Sequence, residues 1–348
     1  MITYELYRTK DKNKSVDNYL VDVPVKTNIW IRQDCQVEQL NRIKKAKPSI
    51  LFFQSDGGRN EEEWEIIRNS RRTIEESINW NCTVHLIYAD CNMGMYTMGK
   101  LAEEYIWTKV EQCIFLEDDH IPSVSFFEFC RELLEKYKDD LRVCAICGNN
   151  YTGIYEKTPY DYVFSRYFQI WGIAYWKRTY ENYTLKYSGD DYTINAICRI
   201  AKAKWFINSV KGYAKGELTG GHIPGTEFYQ NLNMIGQNQL FIFPRNNMIS
   251  CWGIGKGSAH ASDDIKKLSK GEANLFYSKT YEIDEIKHPS YIFPDLEFEK
   301  RQKKALAINP VRKYYRRAVR IIKRIRYGDG IVLLRLGINR LKEKRIEK

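Results

Sequence analysis

Short apolar runs alternate with amphipathic stretches through the first 150 residues. Asn28–Arg32 (NIWIR) reads as a strand, followed by helical spacing over Val37–Lys47. Ser49–Gln54 (SILFFQ) is a second strand, ending in a turn, Ser55–Asn60, rich in Asp and Gly. Glu61–Ser77 returns to helical spacing, Thr83–Tyr88 (TVHLIY) to strand character, Thr97–Lys109 to helix, and Gln112–Leu116 (QCIFL) to strand. Phe126–Tyr137 and Val143–Cys147 add a further helix and strand. Such alternation with short connections predicts an α/β fold, a Rossmann-like and mostly parallel sheet covered by helices on both faces. Ligands of such sheets sit beyond the carboxyl ends of the strands. Three polar clusters, Ser55–Asn60, Cys91–Gly94 and Glu117–Asp119, fall at those ends.

Beyond residue 150 the pattern loosens. Residues 150–222 are aromatic and irregular, Leu240–Phe243 forms one more strand, and a polar stretch over 262–300 closes the unit. The net charge of +11 then changes the picture, because residues 301–348 hold 17 Lys/Arg against 3 Asp/Glu. That tail carries +14 of the total, leaving −3 for residues 1–300. A nucleic-acid enzyme would more often spread positive charge along its groove, so no nucleic-acid partner is expected. Val311–Tyr327 aligns Tyr315, Ala318, Val319, Ile322 and Ile325 on one helical face amid eight Lys/Arg. A second amphipathic segment follows Gly330. Such a tail suits an anionic membrane surface, or else RNA, the body of the protein or a partner subunit.

Nine Cys without framework spacing point to a reducing compartment. Cys144 and Cys147 form a lone C-x-x-C inside an apolar run, which favours packing over zinc or redox chemistry. Met1 leads into a polar stretch with no signal-peptide pattern, and Gly330–Ile338 is too short and too charged to span a membrane.

Glu117-Asp118-Asp119 directly follows the strand QCIFL. Carboxylates fixed at a sheet edge suit a hard divalent cation such as Mg²⁺ or Mn²⁺, which prefers oxygen ligands and substrate phosphates. FLEDDHIPSVSFFEFCRELLEKY resembles the segment of bacterial family 2-type glycosyltransferases in which an acidic triplet precedes Pro-Ser and a Phe-rich helix. It is also similar to the EDD stretch of N-acetylglucosaminyltransferase I. FQSDGGRN, NMG at 92–94, FSRYFQIWGIAYWKR and FPRNNMISCWGIGKGSAHA resemble further segments of that family, in the same order over about residues 28–262.

The resemblance implies a GT-A fold, with a catalytic domain over 1–300 and a basic amphipathic helical tail over 301–348. The nucleotide-binding half would span about 25–150 and the acceptor half about 150–300. By the same resemblance Asp119 is the direct metal ligand, Asp118 lies between ribose and metal, and Glu117 supports both. Asp56 faces the base, Asn92 and Gly94 precede the helix beneath the donor, and Trp171 and Trp176 line the sugar pockets. His260 matches a histidine that binds metal or diphosphate, and His120 stands outside the ligand set. Relatives carry their catalytic base in a Trp-flanked Asp segment. Here Glu227 replaces that Asp and both Trp are missing, which shifts the expected acceptor pocket; Asp190 and Asp191 are the fallback. From position alone, Arg32 and Gln33 could reach the nucleotide, while Arg59 and Lys100 could offset diphosphate charge.

The implied activity is metal-dependent, inverting transfer of a hexose or N-acetylhexosamine from a UDP-linked or similar donor to a glycan or lipid-linked glycan. The implied setting is cell-surface polysaccharide synthesis on the inner face of the plasma membrane. The rivals are a nucleotidyltransferase, whose Gly-rich, Lys-containing phosphate loop is absent, and a non-catalytic membrane- or nucleic-acid-binding protein acting through the tail.

Overall fold

The apolar runs become the interior strands of a nine-stranded sheet, ordered β1-β4-β3-β2-β5-β9-β7-β10-β8. The computed structural model describes residues 1–10, 21–182, 192, 195–197, 199, 226–255, 264–268, 270–305 and 310–329. The strands are β1 (Ile2–Thr9), β2 (Val25–Asn28), β3 (Ile50–Ser55), β4 (Cys82–Ala89), β5 (Gln112–Leu116), β6 (His120–Pro122), β7 (Val143–Cys147), β8 (Tyr162–Ser165), β9 (Ile173–Trp176), β10 (Leu240–Pro244) and β11 (Ile249–Cys251). Strands β2, β3, β4 and β5 pair in parallel, as do β7 and β10, whereas β1, β8 and β9 join antiparallel. Six strands therefore share one direction. The short strands β6 and β11 form a separate antiparallel pair.

Helices α1 (Gln33–Ala46), α2 (Glu61–Glu76), α3 (Met95–Ile106) and α4 (Ser125–Lys136) follow β2, β3, β4 and β6. Each buries one apolar stripe, such as Phe126, Phe127, Cys130, Leu133 and Leu134 of α4. The short helix α5 (Lys177–Glu181) follows β9; α6 (Thr226–Gly236) precedes β10. Two core clusters lie on opposite sheet faces, one around Phe53, Val84 and Ile114, the other around Phe52, Ile87 and Cys113. The α/β, mostly parallel architecture expected from the alternation is what the chain adopts.

The departures have physical causes. NIWIR is mainly the turn leaving β2, and the strand itself is the polar-looking VKTN. Its Lys26 is buried, its Nζ donating to Asn28 Oδ1, and burial pulls its pKa down to about 8 against the opposing pull of Glu117 and Glu103. The polar N-terminal stretch is β1, an edge strand whose mostly exposed alternating residues hide its period. A domain boundary at 300 would cut helix α7 (Leu296–Ala305), which belongs to the body. There Phe298 packs on Tyr155 and Phe243, and buried Glu299 pairs with Arg166. One sheet also runs through both expected halves.

Cys144 and Cys147 are buried free thiols, as the apolar run implied. Burial pushes the thiols of Cys82 and Cys144 up to about 12 and those of Cys113, Cys130 and Cys147 higher still. Unfolded thiols ionise near their ordinary value while these native ones stay protonated. Their stabilisation is thus complete below about pH 8.5 and lost as pH rises, at about 1.4 kcal/mol per thiol per pH unit. Lys26 acts in the opposite sense above pH 8, one group against these five and against Cys35 and Cys251, whose thiols burial also raises. The urea midpoint is expected to fall steeply between pH 8 and pH 10; an unchanged midpoint would mean the thiols are not buried.

Candidate active site

Because β2 to β5 run parallel, the loops after them share one edge: residues 29–32, 56–60, 90–94 and 117–119. Arg71 ties two of these ends together. Its guanidinium donates to the carbonyls of Ser55, Asp56 and Ala89 at 3.1–3.2 Å and lies over the Tyr88 ring.

The acidic turn is held most firmly. Gln39 of α1, fully buried, donates through Nε2 to the carbonyls of Glu117 and His120 at 2.6 and 2.7 Å. Its Oε1 accepts from the Thr27 hydroxyl of β2. On the other side, Trp252 N–H donates to the Asp119 carbonyl at 2.8 Å, just beyond β11. Gly253 leaves room for the Asp119 carboxylate: a Cβ there would stand 2.5 Å from Oδ2. Helix, central strand and the β6–β11 pair thus fix one turn from three directions.

Within it the three acids differ. Glu117 is exposed, Asp118 half-buried, and the Asp119 side chain is 17% exposed. Burial, reinforced by neighbouring Asp119, pushes Asp118 up to about 7, opposed by Arg32 and Lys26. Asp119 Oδ2 lies 3.7 Å from Arg32 Nη1, and the buried Oδ1 has no hydrogen-bond partner. An acceptor left bare in this way costs stability unless something cationic or protic fills it.

His120 is fully buried beneath the turn. The N–H groups of Glu117 and Gly172 both donate to Nδ1, at 3.1 and 3.2 Å, so the ring proton sits on Nε2. Nε2 lies 3.6 Å from Asp119 Oδ1 and 3.8 Å from Glu117 Oε2, and burial holds the ring neutral with a pKa of about 4. Asp119, His120 and Cys251 gather closely enough to suggest a three-ligand ion site. The chemistry argues against it: His120 Nε2 carries the proton, and burial pushes the Cys251 thiol far up. A soft ion would need both groups deprotonated. Carboxylate oxygens remain, which suits a hard divalent cation at Asp119 and Asp118.

Trp171 borders this region, its ring 6.5 Å from His120, 5.1 Å from Tyr151 and 5.6 Å from Phe276. Gly172 adopts φ +64°, which frees its N–H for His120. Other expected residues behave differently. Trp176 opposes Gln112 at the opposite end of β5 and is buried, its Nε1 donating to Leu134 O; it lines no crevice at the acidic turn. Asp56 is occupied rather than facing a base. Its carboxylate accepts from the N–H groups of Gly57, Met93 and Gly94 at 2.8–2.9 Å and from the Asn92 amide at 3.3 Å. Asn92 and Gly94, the latter at φ +83° as N-cap of α3, are thereby locked to the end of β3.

Arg32 is buried, its Nη2 held by Trp252 O and Cys35 Sγ, so it supports Asp119 instead of projecting outward. Gln33 opens α1 half-buried. Arg59 pairs with Glu63 and stacks over Trp30, and Lys100 lies 3.7 Å from Glu104, so both have their charge offset within their own helices and caps. Glu227 lies in the first turn of α6, which touches the 166–171 segment where Phe168 N–H donates to Asn231 Oδ1. His260, Asp190 and Asp191 lie outside the described residues. Sequence reasoning missed Gln39, Thr27, Arg71 and Gly253, although a Gln repeating at 33, 36 and 39 on an otherwise amphipathic helix was a visible signal.

No protein-family model matches the chain, and no curated protein does. Among solved structures it is similar to a UDP-glucose pyrophosphorylase complexed with UDP-glucose, at 11% identity and TM-score 0.33, over 64% of this chain and 90% of that one. An apo UDP-glucose pyrophosphorylase gives 8% and 0.34 over 65% and 91%. Mouse xyloside xylosyltransferase 1 gives 12% and 0.32 over 67% and 87%. Similarity this distant carries no weight for the chemistry.

Proposed function

We propose that the protein is a metal-dependent glycosyltransferase of GT-A type, moving a hexose or N-acetylhexosamine from a nucleotide-diphosphate sugar, UDP-linked for preference, to a glycan. The observation that carries this reading is Asp119. The turn that carries it is held through its backbone at the end of a central parallel strand, by Gln39 of α1 and by Trp252 beyond β11, and one buried oxygen of its carboxylate has no partner. Stability alone does not favour such an arrangement, whereas a bound cation completes it.

In this reading Asp119 and Asp118, with His260, hold Mn²⁺ or Mg²⁺. When bound, the ion offsets the charge on the departing diphosphate. The chain's own groups do the rest. Neutral His120 lies beneath the turn with Nε2 3.6 Å from Asp119 Oδ1, beyond hydrogen-bond distance, and adds no charge to the site. Trp171 offers an aromatic face to a sugar ring. Glu227 accepts the acceptor hydroxyl's proton as its oxygen bonds to the anomeric carbon and the bond to diphosphate breaks. Capsule or similar surface-polysaccharide synthesis at the inner face of the plasma membrane is the setting this proposal favours.

A panel of nucleotide sugars, assayed by release of free nucleoside diphosphate with Mn²⁺ or with EDTA, tests the reading. Release from one donor, lost in EDTA, is expected. Pyrophosphate release from a nucleoside triphosphate and a sugar 1-phosphate, with no diphosphate from any donor, would replace it by nucleotidyl transfer.

A further inference from the structure

Helix α8 (Pro310–Arg324) is attached to the body by its cationic side. Arg320 Nη1 lies 3.3 Å from Glu272 Oε1, and Lys323 Nζ donates to Leu268 O at 2.8 Å. At about 100° per residue, Tyr314, Tyr315, Ala318, Ile321, Ile322 and Ile325 share an arc of roughly 120°, and Arg320 falls nearly opposite its centre. The apolar arc is turned outward. Tyr315 is 69%, Ile322 65% and Ile325 56% exposed. A helix that merely packed on its own domain would do so with the opposite face inward.

We infer that this helix seats the protein on an anionic lipid bilayer, with the tyrosine–isoleucine arc in the interface. Charge decides the occupant. Residues 311–327 contain eight Lys/Arg and no Asp/Glu; Arg320 and Lys323 engage the body, but exposed Arg317 and Arg326 border the apolar arc on its two sides, so its flanks are complementary to anionic headgroups, and long cationic side chains can reach them past the arc. A nucleic acid would draw the cations outward and leave the isoleucines in water. No described helix is long and apolar enough to cross a membrane.

The seat adjoins the candidate site. Helix α8 packs on the turn Ile265–Lys267, in the segment whose Phe276 meets Trp171 and whose Tyr277 hydroxyl donates to Ile254 O. Docking of α8 therefore holds that wall near the bilayer, where an acceptor carried on a lipid would be presented. This last step, unlike the docking itself, rests on the glycosyltransferase reading.

Full-length protein is sedimented with phosphatidylcholine vesicles with and without phosphatidylglycerol, beside Ile322→Glu/Ile325→Glu and Ile322→Leu/Ile325→Leu. Both sites are exposed, so circular dichroism should match wild type. Binding is expected only with phosphatidylglycerol, weakened at least about tenfold by the Glu pair and kept by the Leu pair. Equal binding by the Glu pair, equal binding to uncharged vesicles, or binding to poly(U) in place of vesicles would each overturn the docking. Thermal shift with nucleotide sugars should be the same in all variants. Loss of that shift in wild type would remove the donor reading and leave the vesicle result standing.

Discussion

Asp119→Asn is expected to reduce glycosyl transfer by about a thousandfold, the upper end of what loss of one preorganised electrostatic group costs. Its folding stability should stay within about 1 kcal/mol of wild type. Oδ1 is buried without a partner, so the native carboxylate gains little there in the absence of a cation. The substitution chiefly weakens the loose 3.7 Å approach of Arg32. Asparagine keeps the shape and removes the charge. Urea unfolding beside a diphosphate-release assay separates the two effects. Near-native turnover would exclude Asp119 from the chemistry, and a collapse in stability would make it a structural residue.

Gln39→Leu should do the reverse in stability and a milder thing to activity. It leaves the His120 carbonyl without its Gln39 donor and the Thr27 hydroxyl without the Gln39 acceptor, both in the interior. At about 1–3 kcal/mol per stranded buried group, destabilisation of about 3 kcal/mol is expected. The Glu117 carbonyl keeps the His120 N–H, so the turn loosens without coming undone. Metal affinity should weaken about 10- to 100-fold, as when a ligand's supporting hydrogen bond is removed. Thr27→Val, which leaves the Gln39 amide on both carbonyls, should be milder in both respects. If Gln39→Leu were as stable as wild type, the turn would not depend on α1.

How much of this is legible in the sequence varies by residue. VCAIC, fully buried, and QCIFL, mostly so, show their true bounds because buried strands read as near-continuous apolar runs. VKTN does not, since its buried Lys26 and Thr27 are polar groups satisfied by partners such as Asn28 and Gln39. The acidic triplet can be placed at a strand end from order alone. Nothing in the sequence reveals that Asp56 is consumed by the 92–94 turn, or that Arg32 points inward to Trp252. Those facts depend on loops that meet only in the folded chain. Trp176 is misplaced by sequence reasoning because WGIAYW is extended, which sends its two tryptophans toward opposite ends of the sheet, and β9 runs antiparallel to β5, which puts Trp171 at the acidic end.

Manganese binding followed by electron paramagnetic resonance, with UDP present, tests the central claim most directly. Wild-type protein should take up one Mn²⁺ whose signal broadens with UDP, and Asp119→Asn should leave the ion free. Equal uptake by both proteins would put the cation elsewhere and contradict the account.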